Sequence, residues 1–258
     1  MEIIHYTNSY MTRVYSQFDI PLHQQNLKNR IINMKKKTKS IDDELSFIAR
    51  HLMLYGSYIP NLGILSGKMG IAIFFYHYAA YTKCSRYRRF ADELIEEVYH
   101  EVAKNTPKDF ANGLCGIVWG LTYLVQCGFL DMDDDIFEEL DSKIMEWDIS
   151  NITDYSIETG LSGVGLYLIC RLHSCKENHT IPLTYSEKVL KRLAESHISE
   201  CQMVYDSYKN KQLPLSVQLN SILYSLLPQY NASCQAKMLS IKDGLAGVGL
   251  RLITCGVR

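Results

Sequence analysis

No stretch of this chain is long and apolar enough to span a bilayer. The longest candidate, GIAIFFYHYAAY from Gly70, is twelve residues and carries a histidine and tyrosines. The opening MEIIHYTNSYMTRVY lacks the apolar core of a signal peptide, so a cytoplasmic protein is expected. Charge of one sign is not in excess: 27 Lys and Arg face 28 Asp and Glu. Neither nucleic acid nor an anionic membrane is therefore an expected partner. Eight cysteines fall without a CxxC pair or a regular framework, which fits reduced thiols packed as small hydrophobes. GxSxG is missing, so no α/β-hydrolase nucleophile is supported. GILSGK from Gly63 has three residues between its glycines, where a phosphate loop needs four, and Met69 follows the lysine. GLSGVG from Gly160 is GxxGxG, not GxGxxG, and no strand precedes it. His173 with Cys175 and His197 with Cys201 are close pairs, but neither recurs or has a carboxylate at ligand spacing. No metal and no cofactor is expected. Period-2 patterning strong enough for a sheet is absent as well.

What the chain does have is one glycine-broken apolar phrase in four copies: GILSGKMGIAIFFYHY from Gly63, GLCGIVWGLTYLV from Gly113, GLSGVGLYLICRL from Gly160 and GLAGVGLRLITC from Gly244. Twelve of the fifteen glycines lie in these copies. The offsets are 50, 47 and 84 residues, and the last is close to two periods of 42. A degenerate copy is expected between the third and fourth, with LPLSVQLNSILYSLL (213–227) as the candidate. A glycine inside a helix costs about 0.8–1 kcal/mol against alanine, so the concentration needs a cause. A positive φ at the first glycine and close helix approach at the later ones, Gly67, Gly116, Gly163 and Gly247 among them, would supply it.

The segments between copies are amphipathic. Phe90, Leu94, Val98 and Val102 form one stripe, and Ile136, Leu140 and Ile144 a second, the latter behind aspartates that suit a helix N-terminus. Thr184 and Glu187 have capping-box spacing before Val189, Leu190, Leu193, Ile198 and Cys201, and 42–54 is a further amphipathic stretch. Helices apolar all round must be wrapped by protein. The expected fold is all-α: an α/α toroid or incomplete α/α barrel of inner and outer helices with GxxG turns, over residues 41–258, after an N-terminal helical extension of 1–40. The basic runs MKKKTK and CSRYRRF are read as solvated faces or linkers.

If each inner helix starts at such a turn, the N-termini open on one face, where unpaired N–H groups favour a carboxylate, phosphate or peptide backbone. Residues flanking the phrases would line it: Asn61, Lys68, Asp109, Asn112, Trp119, Glu158, Lys242 and Asp243. Of these, Lys68, Asn112, Trp119 and Lys242 are the binding candidates. Asp109, Glu158 and Asp243 each precede a turn and are the carboxylates to consider for acid–base catalysis.

The repeated GLxGxxG turn opening an apolar helix, with FANGLCG and GLSGVGLYL closest, resembles the lanthionine synthetase C-like family over about residues 42–258. The resemblance implies a double α/α toroid of seven inner and seven outer helices. In the catalytic members two cysteines and a histidine hold a zinc that activates a peptide thiolate for addition to a dehydrated serine or threonine. Those ligands stand just before a repeat glycine. The corresponding pairs here are Leu65–Ser66, Leu114–Cys115, Leu161–Ser162 and Leu245–Ala246, so zinc-dependent cyclase chemistry is not expected. Ser66 and Ser162 are expected as helix N-caps instead. The expectation is a non-catalytic member that binds or scaffolds a ribosomally made peptide or a peptide-modifying enzyme. The alternatives are a carboxylate enzyme on an α/α toroid, a glycoside hydrolase or lyase, and, least favoured, a lanthionine cyclase. With four clear copies and one degenerate one the ring is expected to stay open, its end helices covered by the N-terminal residues, a partner or a second copy of the chain.

Overall fold

A computed structural model describes residues 41–174, 181–209, 214–228 and 239–255. The N-terminal extension expected over 1–40 and the basic run MKKKTK lie outside them. The chain divides into two compact units, Met1–Glu44 and Leu45–Arg258. All that follows concerns the second, and of the first helix only the part from Leu45 on.

The described residues form ten α-helices and no strand. Residues 41–55 (α1) bury Leu45, Ile48, Ala49 and Leu52, one stripe at i, i+3, i+4 and i+7. Lys68–Thr82 (α2), Leu114–Gln126 (α4), Leu161–Ser174 (α6) and Leu245–Cys255 (α10) are the four glycine-phrase helices. Nearly every residue of α2, α4 and α6 is buried, as their all-round apolar sequences require. Ser85–Glu101 (α3), Asp134–Met145 (α5), Leu183–Glu195 (α7) and Ser199–Lys209 (α8) bury single stripes and wrap them. α3 packs on α2, α5 on α4, and α7 and α8 on α6. Inner and outer helices therefore alternate as the sequence implies. None of the described helices is long and apolar enough to cross a membrane.

Local details differ from expectation. The run from Thr184 to Cys201 is two helices, because Ser196 leaves the helical region after α7 and α8 restarts at Ser199. Thr184 is inside α7, whose N-cap is Pro182, so no capping box forms. Ser66 precedes Gly67, the true N-cap of α2, and Ser162 lies within α6, so neither serine is an N-cap.

The degenerate copy is a helix, Leu215–Leu226 (α9), entered from Pro214 without a glycine turn. It packs on both α4 and α6. Asn220 of α9 accepts from Tyr123 Oη at 3.0 Å, and Tyr123 Oη meets His77 Nε2 of α2 at 2.7 Å. His77 is buried, and desolvation lowers its pKa from 6.5 to about 4. The folded state thus holds a neutral imidazole that the unfolded chain would protonate near pH 6.5. Stability is complete above that pH and falls as pH drops towards 4, by about 3 kcal/mol from this group. Urea unfolding at pH 7.5 and 4.5 measures the loss. His77→Phe is expected to flatten it relative to the parent chain; parallel pH profiles would discount His77 as its source.

α10 packs directly on α2, so the last glycine phrase meets the first.

Candidate functional site

The glycine turns are built alike, and their shared geometry fixes the register of the repeat. Lys68 N donates to Asn61 O at 2.9 Å, Leu114 N to Pro107 O at 2.9 Å and Leu161 N to Asp154 O at 3.0 Å, each reaching back seven residues. The next residue repeats the pattern in Met69 N to Leu62 O, Cys115 N to Lys108 O and Ala246 N to Leu239 O. Gly67, Gly113, Gly160 and Gly244 are therefore equivalent, and Gly63 is not part of the set. The first offset is 46 residues rather than 50, from Gly67 to Gly113.

The glycines answer to space, not to a left-handed backbone. Gly67 and Gly113 have φ of −135° and −126°, which any residue adopts, and Gly128 is the one positive-φ glycine among the described residues. A Cβ on Gly67, Gly113 or Gly160, or on Gly70, Gly116, Gly163 or Gly247, would come within 3.0 Å of the carbonyl oxygen six residues earlier. Real Cβ atoms essentially never approach so closely. The loop folds back over the start of its own helix, and only hydrogen fits between.

This fold-back changes what the face offers. The carbonyls it supplies satisfy the first N–H groups of α2 and α4, the donors expected to await an anion. The helix starts are capped by their own chain.

The turns also bond to one another. Ile241 N and Lys242 N donate to Leu65 O at 3.1 and 3.2 Å, Leu65 N to Ala111 O at 3.0 Å, and Ala111 N to Glu158 O at 2.8 Å. Lys242, Leu65, Ala111 and Glu158 each stand two residues before a helix-entry glycine. Four equivalent positions are thus strung into one belt. Asn61 Nδ2 adds a link to Asn112 Oδ1 at 2.6 Å. Between the belt's two ends, Lys242 Nζ pairs with the Glu158 carboxylate, both side chains nearly half exposed. That pair raises the lysine's pKa, mainly through the hydrogen bond to Glu158, with a further contribution from Asp243.

The candidate residues part company here. Asn61, Asn112, Glu158, Lys242 and Asp243 lie on or beside the belt. Lys68 does not serve the face: it is 3% exposed and its Nζ pairs with Glu97 and Glu101 of α3 at 2.9 and 2.6 Å. Burial lowers its pKa, but the two carboxylates outweigh that and leave it raised. Trp119 is fully buried, its ring stacked on Tyr123 and edge-on to Phe110. Asp109 accepts from Asn112 N at 2.7 Å, and burial pushes its carboxyl up. Glu158 and Asp243 both act on Lys242, and no hydrogen bond or ion pair joins any two of the three acids among the described residues. The apolar cavity lined by Ile95, Val98, Ile117, Leu121, Met132 and Leu140 is remote from all of them in chemistry.

The residues do not suit a catalytic zinc. In the corrected register the positions before the second glycine are Lys68–Met69, Leu114–Cys115, Leu161–Ser162 and Leu245–Ala246. Cys115 is the single thiol, it is fully buried, and burial raises its pKa well above the ordinary range, against the thiolate a metal needs. Ser162 donates to Tyr155 O and touches Cys201 Sγ at 3.2 Å. Among the described residues no three His, Cys, Asp or Glu side chains converge as ligands.

One polar cluster escaped the sequence reading. Asp141, fully buried on α5, takes three bonds from Arg171 of α6, from Nε to its two oxygens at 3.3 and 3.0 Å and from Nη2 at 2.9 Å, and one from Tyr167 Oη at 2.8 Å. Its signal was an arginine in a helix otherwise apolar, matched by an aspartate within the stripe of Phe137, Leu140 and Ile144.

A family model described as lanthionine synthetase C-like protein matches residues 59–241. No curated protein and no solved structure matches the chain.

Proposed function

The chain belongs to the lanthionine synthetase C-like family, and on that footing we propose that it is a non-catalytic member, binding or scaffolding in the cytoplasm during modification of a ribosomally made peptide. One observation carries the reading. The glycine-turn frame is kept in four copies, while the positions where the family's catalytic members place metal ligands hold Met69, a buried Cys115, Ser162 and Ala246. A frame kept without its ligand set fits a surface used for binding. The exposed part of that surface is the belt around Glu158, Lys242 and Asp243, and its occupant is a peptide or the enzyme that modifies it.

A photo-crosslinking residue at Asp243, in the full chain expressed in its own cell, tests this. Mass spectrometry of the adduct is expected to identify a ribosomally made peptide or a peptide-modifying enzyme, and the same residue at the exposed position Arg86 should not. Stoichiometric zinc in the purified protein, lost on Cys115→Ala, would overturn the non-catalytic reading. So would thiol addition to a dehydrated peptide by the isolated chain.

A further inference from the structure

The charges of the outer helix α3 (Ser85–Glu101) fall into two groups. Arg88, Asp92, Glu97 and Glu101 are all used within the chain. Arg88 donates to the Phe129 carbonyl and pairs with Asp92, Asp92 accepts from Tyr76 Oη at 2.6 Å, and Glu97 and Glu101 hold Lys68. Arg86, Arg89, Glu93 and Glu96 are exposed, and none of them makes an ion pair or a side-chain hydrogen bond among the described residues. These four stand three, four and three residues apart, so they share one stripe on the solvent side of α3. His100, the next position at this spacing, is exposed as well. Such alternation of three and four is the spacing of a seam along which two helices lie side by side.

The order of charge along the stripe runs against the helix. Two arginines come first and two glutamates follow, with no acid in the first turn. The helix dipole favours the reverse, acids at the start and cations at the end. The arrangement therefore does nothing for α3 itself. It is complementary to its own copy instead. Positions 86 and 96 are equidistant from Ala91, and so are 89 and 93. Turned end for end against a second copy, Arg86 faces Glu96 and Arg89 faces Glu93, and two-fold symmetry repeats both pairs. A parallel arrangement would set like charges against each other.

We propose that this stripe is a homodimerisation surface, on which two copies of the chain pair α3 with α3 antiparallel about a two-fold axis level with Ala91. The basic run CSRYRRF, read from sequence as a solvated face, supplies the cationic half. A seam filled with charge rather than leucine gives a transient dimer, since exposed ion pairs are individually weak and are screened by salt.

Sedimentation equilibrium of the full chain, up to about 0.3 mM protein, tests this. The parent chain is expected to dimerise in about 0.05 M salt and to lose at least about tenfold in affinity in about 1 M salt. Arg86→Glu with Arg89→Glu makes the stripe wholly acidic, and Glu93→Arg with Glu96→Arg makes it wholly basic. Each is expected to weaken self-association at least about tenfold at low salt. Mixed in equal amounts, the two variants are expected to form a heterodimer at least as tight as the parent dimer. Both changes lie on the solvent side and move charge the way the dipole favours, so folding is kept, and circular dichroism of each variant checks it. A parent chain that stays monomeric, variants that dimerise as the parent does, or folded variants that fail to pair with each other would each overturn the proposal.

Discussion

Gly116→Ala is expected to cost about 3 kcal/mol or more, enough to unfold much of the population of a protein of ordinary stability. The added methyl would come within 3.0 Å of both the Phe110 carbonyl oxygen and Ile64 Cγ2. The first is backbone, held by the fold-back that caps α4, and cannot rotate away. The second belongs to the adjoining turn, so relief on one side means strain on the other. Gly56→Ala is the control: its nearest neighbours would be 3.5 Å away, ordinary contact, in a short 3-10 helix. There the change should stay within about 1 kcal/mol and can be stabilising, because alanine narrows the unfolded ensemble. Urea unfolding of the two variants side by side measures the contrast. Equal midpoints would mean that the turns are looser than described and that the glycines need another explanation.

Asp141→Ala is the second large loss expected, about 3–5 kcal/mol. The carboxylate is fully buried, and its removal takes the counter-charge from beside the Arg171 guanidinium and the acceptor from the Tyr167 hydroxyl between α5 and α6. Stacking of Arg171 over Phe137, 4.5 Å to the ring centroid, does not replace a counter-charge. The buried charge left without the Asp141 carboxylate beside it, rather than the lost bonds, dominates the cost. Combining Asp141→Leu with Arg171→Met and Tyr167→Phe should therefore recover most of it, since an apolar set of similar volume is often as stable as a buried ion pair. Equilibrium unfolding of the single and triple variants at pH 7 separates the cases. A single variant that loses under about 1 kcal/mol would mean that water reaches the site.

The alternation of helix types was legible because two patterns coexist. Helices such as Leu114–Gln126 have no polar face, and Ser85–Glu101 has a single apolar stripe; only a wrapped arrangement satisfies both. Register was harder. GILSG imitates GLCG, so Gly63 looks like the first glycine of its copy. What selects Gly67 is a hydrogen bond reaching back seven residues, invisible in composition. Lys68 was misplaced for a related reason. Its partners Glu97 and Glu101 are a helix away, and the rotation of α2 about its axis decides whether the ammonium faces water or α3. Trp119 was readable as core, lying in a helix with no exposed side. The pairing of Glu158 with Lys242 was half visible: both were picked as flanking residues, each two before its glycine, but that their side chains meet depends on where the two turns lie in space.

The contact between the last glycine phrase and the first sets the order in which this chain can be finished. Gly249 of α10 lies where a Cβ would strike the Phe74 ring of α2, and Ile241 bonds Leu65, residues 176 apart in sequence. During synthesis, α2 emerges long before its neighbour exists, and at about 5–20 residues per second the wait lasts about 10–40 s. Through that interval one flank of an almost wholly apolar helix has no lasting cover. Transiently uncovered apolar surface of this kind is prone to aggregate, so mutations in the final helix are expected to register first as losses in yield.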